Sequence, residues 1–288
     1  MDGLFVPFEN KMNFKSCKDT RTLLHLGDLH FGHPGHCDAR WKRVKDYYRN
    51  RKDVIAIGMG DYFDFSRWSD RQAMRRGGVS QSAYDRLDAM VTDDVKRAAD
   101  DLSQFNWIGM LEGNHDWDFS DGTSATQMLA GLLGTRYLGT CCLIHHALDY
   151  HGGKTVITHV CHHGLGGGAK TIGGSINALE HWTKAFRANI YAMGHDHSSF
   201  VLPCTYTPIS SRINERTGEV ELVEHEMWFI RSGSMLRGYV PHRCSYIAVK
   251  AMPARRLAYP EITIGVKRTE VGGTKRIVSV INGNNPTI

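Results

Sequence analysis

The sequence predicts an α/β fold in which buried parallel strands end, at one edge of a sheet, in side chains that can bind metal. Three segments share one pattern, in which a short apolar run is followed by glycine and then by polar residues. The runs cover residues 22–26, 53–57 and 107–111, and the polar residues after them include Asp28, Asp61 and Asn114. Buried parallel strands read as continuous apolar runs, and open α/β sheets bind their ligands at the carboxyl edge. We expect the other strand ends to converge on Asp61.

The chain is expected to form a single domain spanning residues 1–288, because no internal repeat, low-complexity block or linker divides it. α/β folds often reach this length as one unit. Hydrophobic residues make up 41% of the sequence and charged residues 23%, which allows a sizeable core. The formal net charge of +5 fits a polyanionic ligand without requiring one.

Cysteine usage and the N-terminus predict a cytoplasmic protein. The seven cysteines are odd in number and include no Cys-x-x-Cys pair, so we expect reduced thiols and no disulfide framework. The first residues lack a basic segment followed by an apolar one, which argues against a signal peptide. No apolar run is long enough to span a bilayer, so no membrane partner is expected.

The first half of the chain supplies helices between the predicted strands. Residues 1 to about 20 are weakly patterned and read as an arm or an edge segment. Asp38 can cap a helix that runs to about residue 50. Apolar residues recur at helical spacing from Tyr84 to Leu102, which predicts an amphipathic helix within a helical, Arg-rich insertion at about 65–105. The arginines of this insertion fit a basic flap or a solvated loop equally well; they are Arg67, Arg71, Arg75 and Arg76.

The second half combines two short helices with many strands. Helices are predicted at 126–133 and 175–186, and strands at 141–147, 154–160 and 189–193. The part from about residue 199 is strand-rich and indicates a second or an extended sheet. Its strands are predicted at 201–206, 219–223, 227–230, 246–250 and 262–266, with a hairpin turn at 214–218 and a loose tail at 282–286. The glycine-rich segment 164–171 lacks the spacing of a phosphate-binding loop and reads as a flexible lip of the site.

Five successive strand ends carry carboxylate, amide or imidazole groups next to glycine. The residues are Asp28, His30, Asp61, Asn114, His115, His162 or His163, His195 and His197. This donor set suits manganese, iron, zinc, nickel or cobalt. One such residue would mean little, but five in succession predict a metal site. His33 and His36, in the loop after the first strand, read as solvent-facing or supporting residues.

These motifs resemble those of the calcineurin-like metallophosphoesterases, in family order. They are Gly27-Asp28-Leu29-His30, Gly60-Asp61, Gly113-Asn114-His115-Asp116, His162-His163-Gly164 and Gly194-His195-Asp196-His197. The resemblance implies a four-layer sandwich, in which two mixed β-sheets pack face to face between flanking helices. It also implies two divalent metal ions, with manganese as first choice and iron, zinc, nickel or cobalt as alternatives.

The same resemblance implies a role for each matching residue. Asp28, His30 and His197 would bind one metal ion. Asn114, His195 and a histidine of the 162–163 pair would bind the other, and Asp61 would bridge both. His162 is preferred because it comes first after the strand; His163 is the alternative, and His159 a remote third choice. His115 would be the general acid, and Asp64 would hydrogen-bond to it.

The implied activity is phosphoester hydrolysis by a metal-activated hydroxide. Phe65 follows Asp64 where the protein phosphatases of the family have a phosphate-gripping arginine, and Asp116 stands where they usually have glutamate. The sequence is more similar to small bacterial or phage-type phosphodiesterases and nuclease-like members, a resemblance that residues 231–239 share. We therefore expect a phosphodiesterase acting on a nucleotide or nucleic acid. The alternatives are a phosphomonoesterase and a non-catalytic binding module, and the oligomeric state stays open.

Overall fold

The computed structural model describes residues 4–65, 73, 77–78, 80–164, 171–206, 212–213, 217–221, 225–242, 246–249, 251–271, 274–284 and 286. The strands are β1 (Phe5–Phe14), β2 (Thr20–Leu26), β3 (Val54–Gly58), β4 (Trp107–Met110), β5 (Arg136–Tyr137), β6 (Cys141–Tyr150), β7 (Gly153–His162), β8 (Ile190–Met193), β9 (Ser199–Tyr206), β10 (Arg212–Ile213), β11 (Val220–Glu221), β12 (His225–Ser232), β13 (Glu261–Val271) and β14 (Thr274–Asn284). The helices are α1 (Asp38–Tyr48), α2 (Gln81–Leu102), α3 (Ala125–Leu132), α4 (Ile172–Trp182) and α5 (Tyr246–Val249).

Two mixed six-stranded sheets form the centre of the molecule. The first has the order β14-β13-β2-β3-β4-β5, and the second has the order β1-β6-β7-β8-β12-β9. In the first sheet β2, β3, β4 and β5 run parallel, while β13 and β14 are antiparallel to their neighbours. In the second, β7, β8 and β12 run parallel to one another. The parallel strands of each sheet therefore deliver their carboxyl ends to one edge.

The core consists of three apolar layers, which makes the molecule a four-layer sandwich. Between the sheets pack buried residues such as Ile57 of β3, Ile144 of β6 and Ile190 of β8. Outside the first sheet α1, α2 and α3 bury their apolar faces, and outside the second sheet α4 buries Leu179. Each such side chain contributes about 1.5–3 kcal/mol on full burial. The predicted fold class, two face-packed mixed sheets flanked by helices, is confirmed.

Local sequence accounts for the buried face of α2 and for the start of α3. In α2, Val91, Val95 and Leu102 are buried at helical spacing, as the apolar pattern predicts. The α3 helix opens with a capping box, in which the Ser124 side chain accepts a hydrogen bond from the Gln127 N–H and the Gln127 side chain accepts one from the Ser124 N–H. This box fixes the start of α3, just after the third predicted strand end.

Several predicted elements differ from the structure. The predicted strand at 246–250 is wrong, because Tyr246–Val249 is the short helix α5. A run of four apolar residues is compatible with either state, and periodicity cannot separate them. The C-terminal strand β14 was not predicted, and the tail predicted to be loose lies partly within it. Pairing with β13 along the whole strand stabilises β14 through non-local contacts that local sequence does not report.

The arm predicted for the first twenty residues is the edge strand β1, which pairs in parallel with β6. Most of the predicted Arg-rich segment (66–72 and 74–76), the glycine-rich residues 165–170 and the turn residues 214–216 lie outside the described residues. Within the described part of the chain, no helix combines the length and apolarity needed to cross a membrane. The six cysteines of that part are all free thiols.

Candidate metal centre

The predicted site residues follow the carboxyl ends of β2, β3, β4, β7 and β8, where the two sheets meet. Short backbone hydrogen bonds tie the first two turns together: the Asp28 N–H donates to Gly60 O at 2.8 Å, and the His30 N–H donates to Asp61 O at 3.0 Å. These bonds fix the turns after β2 and β3 relative to each other, and with them the side chains of Asp28, His30 and Asp61.

Five of the predicted site residues adopt left-handed backbone conformations. They are Asp28 (φ 48°), His30 (φ 51°), Asp61 (φ 50°), His195 (φ 73°) and His197 (φ 59°). For a residue other than glycine this conformation is disfavoured by about 1–3 kcal/mol, and it persists only where the surroundings enforce it. Such strain clusters at functional sites, because it aims side chains in directions that regular strands cannot supply.

One donor group consists of Asp28, His30 and His197. His30 Nε2 lies 3.2 Å from His197 Nε2, and His197 Nε2 lies 3.4 Å from Asp28 Oδ1. The candidate ligand atoms of the three residues lie within 4.8 Å of one another. Asp28 Oδ1 is buried and, among the described residues, has no hydrogen-bond partner. A buried carboxylate oxygen is costly without a donor or a cation, so this oxygen marks a place for a cation.

A second donor group consists of Asp61, His163, His195 and Asn114. His163 Nε2 lies 3.2 Å from Asp61 Oδ2 and 3.0 Å from Asn114 Oδ1, while His195 Nδ1 lies 2.8 Å from Asn114 Oδ1. Its carboxylate and imidazole ligand atoms also lie within 4.8 Å of one another. The predicted Asn114 and His195 are therefore brought together with Asp61.

Asp61 lies between the two groups. Its Oδ2 atom is 3.9 Å from His30 Nε2 in the first group and 3.2 Å from His163 Nε2 in the second. Its other oxygen, Oδ1, accepts a hydrogen bond from the His115 N–H at 2.9 Å. Gly113 makes this position possible, because a Cβ atom there would collide with Asp61 Oδ1 and with the Asp61 backbone nitrogen. The Asp61 carboxylate thus faces ligand atoms of both donor groups.

The structure places His163, the alternative, beside Asp61, and the preferred His162 outside both donor groups. His162 points away from both groups: its Nδ1 accepts a hydrogen bond from the Gly164 N–H at 2.7 Å, and its ring packs edge-on against Trp182 of α4. Burial lowers the pKa of His162 to about 4, so the ring is neutral. Side chains alternate along β7, and His163 falls on the face that meets Asp61.

Asp64 touches the predicted general acid and a predicted ligand at once. Its Oδ1 atom lies 2.9 Å from His115 Nδ1 and 3.6 Å from His30 Nδ1. Burial favours a raised pKa for Asp64, but hydrogen bonding to His115 and His30 holds the pKa below its ordinary value. Since an ionised carboxylate only accepts hydrogen bonds, the proton in the closer contact resides on His115 Nδ1.

His33 and His36 lie beside the two donor groups and in neither. His33 Nε2 is 4.0 Å from Asp64 Oδ2, and its Nδ1 accepts a hydrogen bond from the Gly35 N–H. The buried His36 ring places Nδ1 2.7 Å from Leu29 O. These positions agree with the supporting roles predicted for both residues.

The electrostatic field of the site favours cations. Burial opposes protonation of His163, but the adjacent Asp61 carboxylate outweighs it and raises the pKa of His163 to about 9. Burial likewise favours a raised pKa for Asp61, yet His163 holds that pKa well below its ordinary range. A field that stabilises a buried imidazolium also stabilises a divalent ion in its place. Together with the Asp28 oxygen that lacks a hydrogen-bond partner and the mixed donor set, this fits the binding of divalent metal.

Sequence reasoning missed the contacts that hold the third strand end in place. Glu112 is buried, and its Oε2 atom accepts hydrogen bonds from Ser124 Oγ at 2.8 Å and Tyr137 Oη at 2.5 Å. Asp116, also buried, accepts a hydrogen bond from the Thr126 N–H in the first turn of α3. Asp116 thereby attaches the loop carrying Asn114 and His115 to the start of α3. A carboxylate is favourable at this position, because the N-terminus of a helix carries partial positive charge. The capping-box pattern that begins at Ser124 is the sequence signal from which this helix start could have been predicted.

A scan with models of protein families and a search of curated proteins both gave no match. Among solved structures, wild-type Vps29 of Entamoeba histolytica, complexed with zinc, is 12% identical with a TM-score of 0.39, over 90% of this chain and 98% of that chain. Vps29 of Cryptosporidium parvum is 11% identical with a TM-score of 0.38, over 92% and 99%. A conserved uncharacterised protein of Streptococcus pneumoniae TIGR4, described as a predicted phosphoesterase, is 13% identical with a TM-score of 0.33, over 91% and 99%. At this degree of similarity, the functional conclusion depends on the site residues of the chain itself.

Proposed function

We propose that this chain is a metal-dependent phosphoesterase that hydrolyses phosphodiester bonds of a nucleotide or nucleic acid. The observation that carries the proposal is the position of Asp61, shared by two donor groups and directly beside His115. The first group (Asp28, His30 and His197) would hold one divalent ion, and Asn114, His163 and His195 the other. Manganese is our first choice, because carboxylate, amide and imidazole donors suit it.

When bound, two such ions would stabilise charge on the phosphoryl oxygens and supply a water of lowered pKa. The chain's own residues perform the remaining work. Asp61 and its left-handed turn hold the donor groups at a fixed separation, and the buried clamp at Glu112 and Asp116 keeps Asn114 in place. Fixed geometry of this kind lowers the barrier through positioning and electrostatic preorganisation.

His115 is placed to protonate the leaving group. Its side chain is 21% exposed beside the donor groups, and Asp64 fixes the ring through Nδ1. With Nδ1 committed to Asp64, Nε2 is the atom from which a protonated ring would donate to the departing oxygen. A positioned acid of this kind typically contributes about 10²–10⁴-fold to the rate.

Phe65 favours a diester over the substrates of protein phosphatases. Its ring stacks on Phe63, with centroids 4.7 Å apart, and packs against the core under the helical layer. No cation is therefore supplied at this position to grip the extra charge of a phosphomonoester. A diester carries only one negative charge and needs less compensation.

Activity on paired substrates tests the proposal. Protein loaded with manganese is assayed with bis-p-nitrophenyl phosphate and with p-nitrophenyl phosphate, beside an Asp61→Ala control. We expect the diester to turn over faster, and a second panel of cyclic nucleotides, mononucleotides, DNA and RNA then identifies the substrate class. Faster turnover of the monoester would favour a phosphatase. No activity above the control with any of the candidate metals would refute the hydrolase, and failure to bind manganese would support a binding module.

His115→Asn gives a prediction about the leaving group. We expect it to slow hydrolysis of an alkyl phosphodiester by about 10²-fold or more, and that of bis-p-nitrophenyl phosphate far less, because nitrophenolate departs without a proton. The measurement is kcat on both substrates for the wild type, His115→Asn and Asp64→Asn. The Asp64 variant should show a weaker form of the same asymmetry. Equal losses on both substrates would contradict the general-acid role.

A further inference from the structure

A buried arginine lies directly behind the loop that carries His195 and His197. Arg231 of β12 is only 3% exposed. Its Nη1 donates a hydrogen bond to the Gly194 carbonyl oxygen at 2.9 Å. Its Nη2 and Nε donate to the Ser175 carbonyl oxygen of α4 at 3.1 and 3.2 Å. One guanidinium therefore joins a strand, a helix and the residue that precedes His195.

Asp196, between the two histidines, faces the same arginine. Its Oδ2 atom lies 3.5 Å from Arg231 Nε, and its Oδ1 accepts a hydrogen bond from the Ser198 N–H at 2.9 Å. Asp196 is 7% exposed, so it belongs to the interior while His195 and His197 reach the donor groups. Asp196, which separates the candidate ligands His195 and His197, therefore anchors the loop on its interior side.

The ion pair between Arg231 and Asp196 also balances charge in the interior. An isolated arginine at this depth would be strongly destabilising, and the ion pair with the Asp196 carboxylate offsets part of that cost. A lone cation would in addition repel divalent ions in the adjacent donor groups. Asp196 cancels this charge, so Arg231 can supply its rigid fork of donors without weakening the site electrostatically.

We propose that Arg231 and Asp196 act as positioning residues for the metal centre, holding His195 and His197 in the orientation that binds the ions. The inference rests on the proposed function, since it assigns these histidines to metal. Both histidines have left-handed backbones (φ 73° and 59°). Because this conformation is disfavoured, contacts around the loop must enforce it. The His195 N–H donates to Asp28 Oδ2 at 3.0 Å on the site side, so the arginine supplies the opposing contact.

Metal binding by matched variants tests this role. Arg231→Met removes the donors at similar volume, Arg231→Lys keeps the charge but loses the fork, and Asp196→Asn removes the compensating charge. Phe229→Leu is the control, because Phe229 lies on the same strand, is buried and packs against α4, outside the loop. For each metal-free protein we measure the free energy of unfolding, the affinity for Mn²⁺ by calorimetry, and the visible absorption spectrum of bound Co²⁺.

We expect Arg231→Met to weaken Mn²⁺ binding by about 10–100-fold and to alter the Co²⁺ spectrum, with Arg231→Lys restoring part of both. Phe229→Leu should lower stability while leaving affinity and spectrum unchanged. Wild-type affinity and spectrum in Arg231→Met would overturn this inference and leave the proposed function intact. If Arg231→Met does not fold, Asp196→Asn and Arg231→Lys decide by the same criteria. Absence of Mn²⁺ binding by the wild type would overturn both proposals.

Discussion

Replacing His163 by alanine is expected to weaken Mn²⁺ binding by roughly 100-fold or more and to remove metal-dependent hydrolysis, since even residues behind a metal ligand contribute about 10–100-fold. Replacing His162 by alanine should leave both properties near those of the wild type. The two residues are adjacent, yet His163 Nε2 lies 3.2 Å from Asp61 Oδ2 while the His162 ring packs against Trp182. Each variant is therefore the control for the other.

The comparison must separate metal binding from stability. His163 is buried beside an ionised Asp61, so the metal-free His163→Ala protein loses the partner that compensates this carboxylate. His162→Ala removes an edge-on contact to Trp182 and is destabilised by packing alone. Affinity for Mn²⁺ by calorimetry, kcat on the diester and urea unfolding should be measured for both. A loss of metal binding in His162→Ala, with His163→Ala unaffected, would reverse the assignment of the ligand.

The strand ends of the site could be predicted from sequence because their signals are local. An apolar run, a glycine and a polar residue mark the end of a buried strand, and parallel strands share an edge. Asp28, Asp61, Asn114 and His195 follow this rule, and the structure brings them together. The contact between Asp64 and His115 was expected only from the family resemblance, and it is present at 2.9 Å.

The choice between His162 and His163 depended on a signal that was present but unused. Side chains of a strand alternate between faces. In β7 the fully buried Ile157 and Cys161 lie in the core between the sheets, whereas Val160 packs on the side of α4. His163 continues the inner series and His162 the outer one. Counting by two from Ile157 would have selected His163.

Other features could not be read from local sequence at all. Arg231 is thirty-five or more positions from Asp196, Gly194 and Ser175, the residues that its guanidinium contacts. Strand β14 exists because β13 pairs with it, and α5 replaces a predicted strand because four residues give no usable period. These outcomes depend on tertiary contacts that override local preference.

A chain of three buried histidines crosses the interior away from the donor groups. His146 Nε2 lies 3.3 Å from His159 Nδ1, and His159 Nε2 lies 3.3 Å from His25 Nε2, so the chain links β6 and β7 of one sheet to β2 of the other. Asn10 Nδ2 and the Cys161 thiol lie at hydrogen-bond distance from its members. Burial lowers the pKa of His25 and of His146 to about 3, and that of His159 well below its ordinary value. The chain is therefore neutral.

The three neutral histidines predict that the free energy of unfolding decreases in acid, with a defined slope against pH. Above pH 6.5 both folded and unfolded histidines are neutral and contribute no pH dependence. Below it the unfolded state takes up protons that His25 and His146 refuse in the folded state until about pH 3, so stability falls as the pH falls through this window. Each histidine adds up to about 1.4 kcal/mol per pH unit to the slope.

Urea unfolding of the metal-free protein between pH 4.5 and 7.5 measures this slope. His146→Met should reduce it by about one proton, or ~1.4 kcal/mol per pH unit at the acidic end, because the variant's unfolded state binds one proton fewer. His145→Gln is the matched control, because it removes the exposed histidine next to His146 on the same strand. Taking the difference between variants removes the contribution of carboxylates and of His163, whose raised pKa acts in the opposite direction. Parallel curves for the wild type and His146→Met would contradict the prediction, because they would show that the buried ring takes up its proton as readily in the folded state as in the unfolded state.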